Sequence, residues 1–370
     1  MKAKKILSSD PILFFLLSFL VFTGLLMLFS ASIVVSKEKT EGSTYYFFHQ
    51  ILYGLLPGIF LAFLTSKISL KFIKKITPFL YLISIILLSL VFVPKFSLSF
   101  GGARSWIHFG PIVFQPTEFA KLALILYLSL FFEKKIRERK IEKFSKGLLP
   151  FLLVLVPFSI LLFFQPDMGS LGVLLLIGFL MYFSAGAPLS HTFFLVFLGI
   201  FLLIIGSFIF PHQAKRIFTF FHPQKDILGK SYQINQALIA LGSGGIFGKG
   251  YGNSIQKYNY LPQPMGDTIF AIWGEEMGFL GSSFLILLFL LICWRGFIIS
   301  KKANDRFSQL LGVGIVSWIG IQAFVHIMAV CGLIPFTGIP LPFVSYGGSA
   351  LACILAGVGF LFNIARNSKI

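Results

Sequence analysis

Long apolar runs alternate with short polar stretches along the whole chain. Ten of the runs approach the roughly 20 helical residues needed to cross a bilayer core of about 30 Å. They occupy 11–36, 46–66, 77–94, 116–132, 148–164, 171–187, 191–210, 269–294, 308–331 and 350–364. Apolar residues fill both parities of these runs, whereas a membrane barrel needs short segments of alternating apolar and polar residues. The pattern predicts an all-α polytopic membrane protein with about ten transmembrane helices. The first run exceeds a signal-peptide core and lacks a small-residue cleavage site, so it is expected to stay as a helix. No internal repeat and no Pro/Ser-rich linker interrupts the series, so one membrane domain over 1–370 is expected, with a long loop at 211–268 inside it.

Composition sharpens this. Hydrophobic residues make up 56% of the 370, charged residues only 12%, and mean hydropathy is +0.89. A soluble fold would have to hide more apolar surface than a chain of this length can enclose. The net charge of +18 raises the question of a nucleic-acid partner, but the placement of the basic residues answers it differently. With the N-terminus inside, 20 of the 31 Lys and Arg fall in cytoplasmic segments: the first five residues, Lys67–Lys75, Lys134–Lys146, Arg295–Arg306 and Arg366–Lys369. The short loops opposite hold only Lys37, Lys39, Lys95 and Arg104. This is the positive-inside pattern; it places both termini in the cytoplasm and requires no nucleic acid. Cys293, Cys331 and Cys353 lie far apart in or beside apolar runs and are expected to pack, not to pair or bind metal.

The outer face carries the unusual residues. Four loops there are rich in Gly, Pro and aromatics: 100–121, 165–170, 211–268 and 332–349. After removal of the cytoplasmic acids, Glu38, Glu41, Glu118, Asp167, Asp226, Asp267, Glu275 and Glu276 remain, and a general base is expected among them. Glu118 stands in a predicted first turn with Lys121 within ion-pair reach, either a structural pair or a means of presenting Lys121 to an anionic group. Asp167 in QPDMGS reads as a turn cap or a loop brace. Asp267 precedes an apolar run and reads either as an N-cap or as a functional acid. Glu275 and Glu276 lie roughly 12 to 13 Å further along; as neighbours they cannot share one helical face, so one is expected to face a polar interior. GSGGIFGKGYG at 242–252 departs from a Walker A motif at Ser243 and Gly250, and the histidines lack metal-ligand spacing. Without a nucleotide site, the chemistry must draw on an already activated lipid-linked donor or on an ion gradient.

These segments together resemble the SEDS family (shape, elongation, division and sporulation). The resemblance runs from about residue 10 to 365 through GLLMLFSAS, GGARSWIHFGP, FQPTEFAK, QPDMGS, Arg216 to Gln236, GSGGIFGKG, LPQPMGDTIFAIWGEEMGFLG and GLIPFTGIPLPFVSYGGSA. It leans to the FtsW branch over the RodA branch. The resemblance implies a bacterial inner-membrane peptidoglycan glycosyltransferase that polymerises lipid II at the outer leaflet. Its implied partners are a class B penicillin-binding protein and other divisome or elongasome membrane proteins. It implies a divalent cation, Mg or Mn, and no nucleotide. Asp267 matches the family's essential acid and is the candidate base for the acceptor 4-hydroxyl. Arg104, Lys121, Arg216 and Lys249 are the candidate cations for substrate, with Glu118 orienting Lys121 and Asp167 bracing its loop. Inverting displacement of a pyrophosphate needs one positioned base and compensation for leaving-group charge. A lipid-linked precursor flippase or transporter, and a noncatalytic division scaffold, are the competing expectations.

Overall fold

A computed structural model describes residues 10–39, 42–100, 103–109, 112–209, 218–221 and 230–368. The chain is a helical polytopic membrane protein. Its helices are α1 (Pro11–Lys39), α2 (Tyr45–Lys67), α3 (Leu70–Leu90), α4 (Pro116–Arg137), α5 (Phe144–Phe164), α6 (Met168–Ser184), α7 (Leu189–Ile209), α8 (Lys230–Ser243), α9 (Ile269–Lys301), α10 (Arg306–Val330) and α11 (Gly348–Asn367). All ten predicted runs appear as helices, and α8 is an addition inside the long loop. The third begins at Leu70, not 77, because Lys71, Lys74 and Lys75 continue the helix, Lys74 with its ammonium paired to Glu133 and Asp305. Between α3 and α4 the outer loop folds into three short antiparallel strands, β1 (Ser97–Phe100), β2 (Ala103–Phe109) and β3 (Ile112–Phe114), in the order β1-β2-β3.

Large apolar side chains face outward all round the bundle. Phe15, Phe60, Phe79, Leu153, Phe193 and Phe197 are each more than 60% exposed. Such a surface is stable only in lipid. The inside is formed by α4, α10 and α11, whose residues are buried on nearly every face.

The bundle's ends sort as the charge pattern predicts. At one end, Lys74 of α3 bridges Glu133 of α4 at 2.7 Å and Asp305 ahead of α10 at 3.3 Å, and Arg295 of α9 bridges Asp10 ahead of α1 at 2.9 Å. The basic-rich segments 67–75, 134–146 and 295–306 therefore share one face, opposite the Gly/Pro-rich loops.

Lipid supplies no hydrophobic force between helices, so close packing of small residues must do it. The α2–α11 seam shows this. A Cβ on Gly58 would stand 2.6 Å from Leu355 Cδ1, and one on Gly359 would stand 2.0 Å from Thr65 Oγ1 and 2.3 Å from the Ala62 carbonyl. Across the seam Thr65 donates to the Ala356 carbonyl at 2.8 Å, and Asn363 Nδ2 donates to the Thr65 and Ile68 carbonyls at 2.8 and 2.7 Å. Gly359→Ala is expected to push these helices apart and destabilise the protein by about 1–3 kcal/mol, the usual penalty of overpacking. Thermal unfolding in detergent checks this against Gly199→Ala, whose added methyl meets nothing within 4 Å. Equal melting temperatures for the two variants would refute it.

Candidate active site

Outer-face segments converge on 331–347, the stretch joining α10 to α11. Pro335, Pro340 and Pro342 prevent it from being helical. Irregular backbone at this depth must find its hydrogen bonds inside the protein. Two α10 side chains provide them: Gln322 Nε2 donates to the Pro340 carbonyl at 3.1 Å, and His326 Nδ1 donates to the Ile339 carbonyl at 2.7 Å.

The stretch before α9 docks on the same segment. Tyr346 N donates to the Met265 carbonyl at 2.8 Å, and Ser345 Oγ to the Gly266 carbonyl at 2.8 Å. Burial raises the Tyr346 phenol far above its usual range, with Tyr46 and Tyr45 adding to the effect, so it stays a neutral hydrogen-bonding group; its oxygen lies 2.9 Å from His49 Nδ1.

Asp267 follows directly. It lies in the turn ahead of α9, and the N-cap position belongs to Thr268, whose hydroxyl donates back to the Pro262 and Gln263 carbonyls at 2.9 and 3.0 Å. The half-buried Asp267 carboxylate faces Gly338: a Cβ there would stand 3.5 Å from Oδ2. Gly338 has φ +70°, so both its backbone conformation and the nearby carboxylate favour glycine.

Asp167 caps α6, accepting from Ser170 N at 3.1 Å, and its turn reaches the same loop, where a Cβ on Gly169 would stand 2.6 Å from the Thr337 carbonyl. The turns of Asp167 and Asp267 thus touch consecutive residues, Thr337 and Gly338.

Glu118 and Lys121 pair at 2.7 Å, both 1% exposed. Lys121 also donates to Gln322 Oε1 at 2.7 Å and lies over the Trp318 ring. Through Gln322 the pair connects to the Pro340 carbonyl on the Asp267 wall. Arg104 is exposed on β2, opposite Ser99 of β1. Arg216 lies outside the described residues.

Lys249 sits on the 244–257 loop and pairs with Glu275 at 2.6 Å. One of Glu275 and Glu276 is expected to face a polar interior; both are fully buried, and both meet polar partners. Glu275 accepts from Ser254 Oγ at 2.5 Å and from Ile255 N and Gln256 N at 3.2 Å each. Glu276 accepts from Lys257 Nζ at 2.9 Å, Ser30 Oγ at 2.6 Å and Gly252 N at 2.9 Å. One loop serves both carboxylates by wrapping around the end of the short helical stretch they occupy. Among the described residues, no group of three or more His, Cys, Asp or Glu stands where it could hold a metal.

Residues 11–370 match the family model described as cell cycle protein, FtsW/RodA/SpoVE. The chain belongs to this family. The SEDS resemblance is borne out over almost the full sequence. Among FtsW/RodA/SpoVE relatives, the chain is similar to "Stage V sporulation protein E" of Bacillus subtilis (38% identical, covering 98% of each). It is also similar to the "Probable peptidoglycan glycosyltransferase FtsW" of Coxiella burnetii (36% identical, covering 94% of this chain and 93% of that one). Among solved structures it is similar to a chain from a peptidoglycan synthase complex that coordinates polymerization and crosslinking (28% identical, TM-score 0.77, covering 96% of this chain and 97% of that one). Thermus thermophilus RodA is also similar, at 29% identity, a TM-score of 0.70 and 98% coverage of each.

Inspection of the sequence missed Gln322 and Lys257. Charge balance offered a signal for Lys257: two buried acids in one helix call for two cations, and Lys249 and Lys257 are the lysines of the adjoining loop. Gln322 had no such signal. Glu118→Gln, which strands the Lys121 ammonium in the interior, is expected to destabilise the fold by about 3–5 kcal/mol. Glu118→Gln combined with Lys121→Met should recover most of that loss. Melting temperatures measured for the single and double variants decide it, and a single variant as stable as the parent would refute it.

Proposed function

We propose that this protein is a peptidoglycan glycosyltransferase of the bacterial cytoplasmic membrane that polymerises lipid II at the outer leaflet. It works with a class B penicillin-binding protein and other membrane proteins of the division or elongation machinery. The observation that carries this reading is the place of Asp267. Its carboxylate stands at the head of α9, on a wall built from the outer-face loops, in a chain whose FtsW relatives are named probable peptidoglycan glycosyltransferases.

Asp267 takes the proton of the acceptor 4-hydroxyl as that oxygen bonds to the donor's anomeric carbon. Undecaprenyl pyrophosphate leaves with the electrons of the broken C–O bond. Because the leaving group is a pyrophosphate, it needs charge compensation and no second protein acid. Arg104 and Arg216 are the cations offered to it, while Lys249, a sequence candidate for the same role, is committed to buried Glu275. Lys121 is buried and neutralised by Glu118, so its part is to hold Gln322, which binds the Pro340 carbonyl of the wall.

A divalent cation of the Mg or Mn kind, which the family resemblance implies, would be held by Asp267 with Asp167. Such ions keep several waters and bind through one or two carboxylates plus substrate phosphates, and Asp267 with Asp167 are the carboxylates whose turns meet at Thr337 and Gly338. When bound, it would neutralise charge on the leaving pyrophosphate. The GLLMLFSAS and YYFFHQ segments favour the FtsW branch, whose cellular mark is septal localisation.

Purified protein supplied with lipid II and Mg or Mn, with and without its penicillin-binding partner, is expected to make glycan chains. Asp267→Ala and Asp267→Asn should lower the rate by about 10²–10⁴, the usual contribution of a positioned base. Chains made at parental rate by Asp267→Ala would remove the base. Labelled lipid that changes leaflet with no polymer under any condition would establish the flippase reading instead, and neither outcome under any partner condition would leave the scaffold.

A further inference from the structure

α9 is broken at Gly278, where φ is +67° and ψ is −167°. The break separates a short stretch, Ile269–Met277, from the long membrane-crossing remainder. A continuous helix would pair Phe279 N with the Glu275 carbonyl and Leu280 N with the Glu276 carbonyl. Instead, the 244–250 segment takes both sides of each bond. Phe279 N donates to the Gly245 carbonyl at 2.9 Å and Leu280 N to the Ile246 carbonyl at 3.1 Å, while Lys249 N and Gly250 N donate to the Glu275 and Glu276 carbonyls at 3.0 Å each. The approach leaves no room for side chains: a Cβ on Gly278 would stand 2.3 Å from Gly248 N, and one on Gly248 would stand 2.2 Å from the Glu276 carbonyl. GSGGIFGKG, read against a phosphate loop, is a backbone splint.

The side chains at the break add a second grip. Glu275 with Lys249 and Glu276 with Lys257 form two ion pairs, and Lys257 Nζ also donates to Ser30 Oγ at 2.9 Å and to the Gly252 carbonyl at 2.6 Å. Ser30 places α1 in the same cluster. Fully buried charges are a poor device for stability alone, since well-packed apolar side chains of similar volume do as well or better. What such pairs define is a unique geometry. Asp267 stands at the opposite end of the same short stretch, roughly 12 Å away at 1.5 Å per residue.

We infer that Glu275 and Glu276, held by Lys249, Lys257 and Ser30, are positioning residues that fix the short arm Ile269–Met277 and thereby the location of the Asp267 carboxylate. This inference rests on the reading of Asp267 as the base. The arm is held at its head by Ser345 and Tyr346 and at its foot by the glutamate cluster, so a shift at the foot displaces the carboxylate. A misplacement of about 1 Å from a remote change lowers turnover on the order of 100-fold.

Two variants test this in the full-length protein. Glu276→Gln removes one buried charge; Ser30→Ala removes the two hydrogen bonds of one hydroxyl, to Glu276 and from Lys257, and no charge, so the ion pair that holds the fold there stays in place. Both are expected to lower kcat for lipid II polymerisation, Glu276→Gln by roughly tenfold or more and Ser30→Ala by a few-fold, with KM within about twofold. Both should also speed hydrogen–deuterium exchange of amides 266–277, which a catalytic role for Asp267 does not influence. Glu276→Gln combined with Lys257→Met is expected to restore the melting temperature without restoring kcat. Unchanged exchange at 266–277 in both variants, or kcat recovering together with the melting temperature in the double variant, would overturn the positioning role. Exchange that responds while Asp267→Ala polymerises at full rate would overturn the base assignment and leave the positioning of the arm intact.

Discussion

Lipid offers a polypeptide no hydrogen-bond partner, and that constraint organises the functional end of this protein. Wherever the backbone leaves the helix at membrane depth, another part of the same chain must complete its hydrogen bonds. At Gly278 the 244–250 segment does so with four backbone bonds. In 331–347, where proline excludes helix, Gln322 and His326 of α10 do so with side chains. Each irregular stretch is therefore locked to a partner that would be left unsatisfied if the two separated.

Asp267 lies between these two locked regions. Its own backbone belongs to neither, but Gly266 and Met265 bind Ser345 and Tyr346 on one side, and Ile269–Met277 ends in the buried glutamates on the other. The buried charges obey the same logic as the backbone. Glu118, Glu275 and Glu276 each have a lysine at 2.6–2.9 Å, and each pair ties together segments that are not otherwise continuous or stiffens a helix start beside the site. Asp267 is thus carried on a frame whose buried glutamates have defined counter-ions.

Much of the bundle was legible from hydropathy, because lipid-facing and core-facing residues are both apolar and the helices appear as unbroken runs. The sidedness of the bundle was legible from lysine placement, and the ion pairs joining Lys74, Glu133 and Asp305 gather those segments at one end. Pro116 and Gln115 gave the start of α4 correctly, and Glu118–Lys121 was visible as a three-residue spacing. The three-stranded sheet, α8 and the break in α9 were not. Ser97–Phe114 has too few residues per strand for an alternation to stand out. Gly278 in GEEMGFLG resembles any glycine in a membrane helix, and only the approach of Gly248, thirty positions earlier, gives it a meaning. The expectation for Glu275 and Glu276 was incomplete for the same reason: it considered the faces of one helix and not a loop able to wrap its end and reach both.

The seam between α2 and α11 has a consequence in time. Thr65 and Ala356 meet across 291 residues of sequence. At about 5–20 residues per second, the ribosome needs roughly 15–60 s to pass from one to the other. Throughout that interval the glycine-lined face of α2 lies in the bilayer without the helix it is shaped to receive, and Asn363 is not yet there to bind the Thr65 and Ile68 carbonyls. The centre of this protein is closed by a helix made long after its partner, so α2 must wait in lipid, inserted but unassembled, for the face it is shaped to receive.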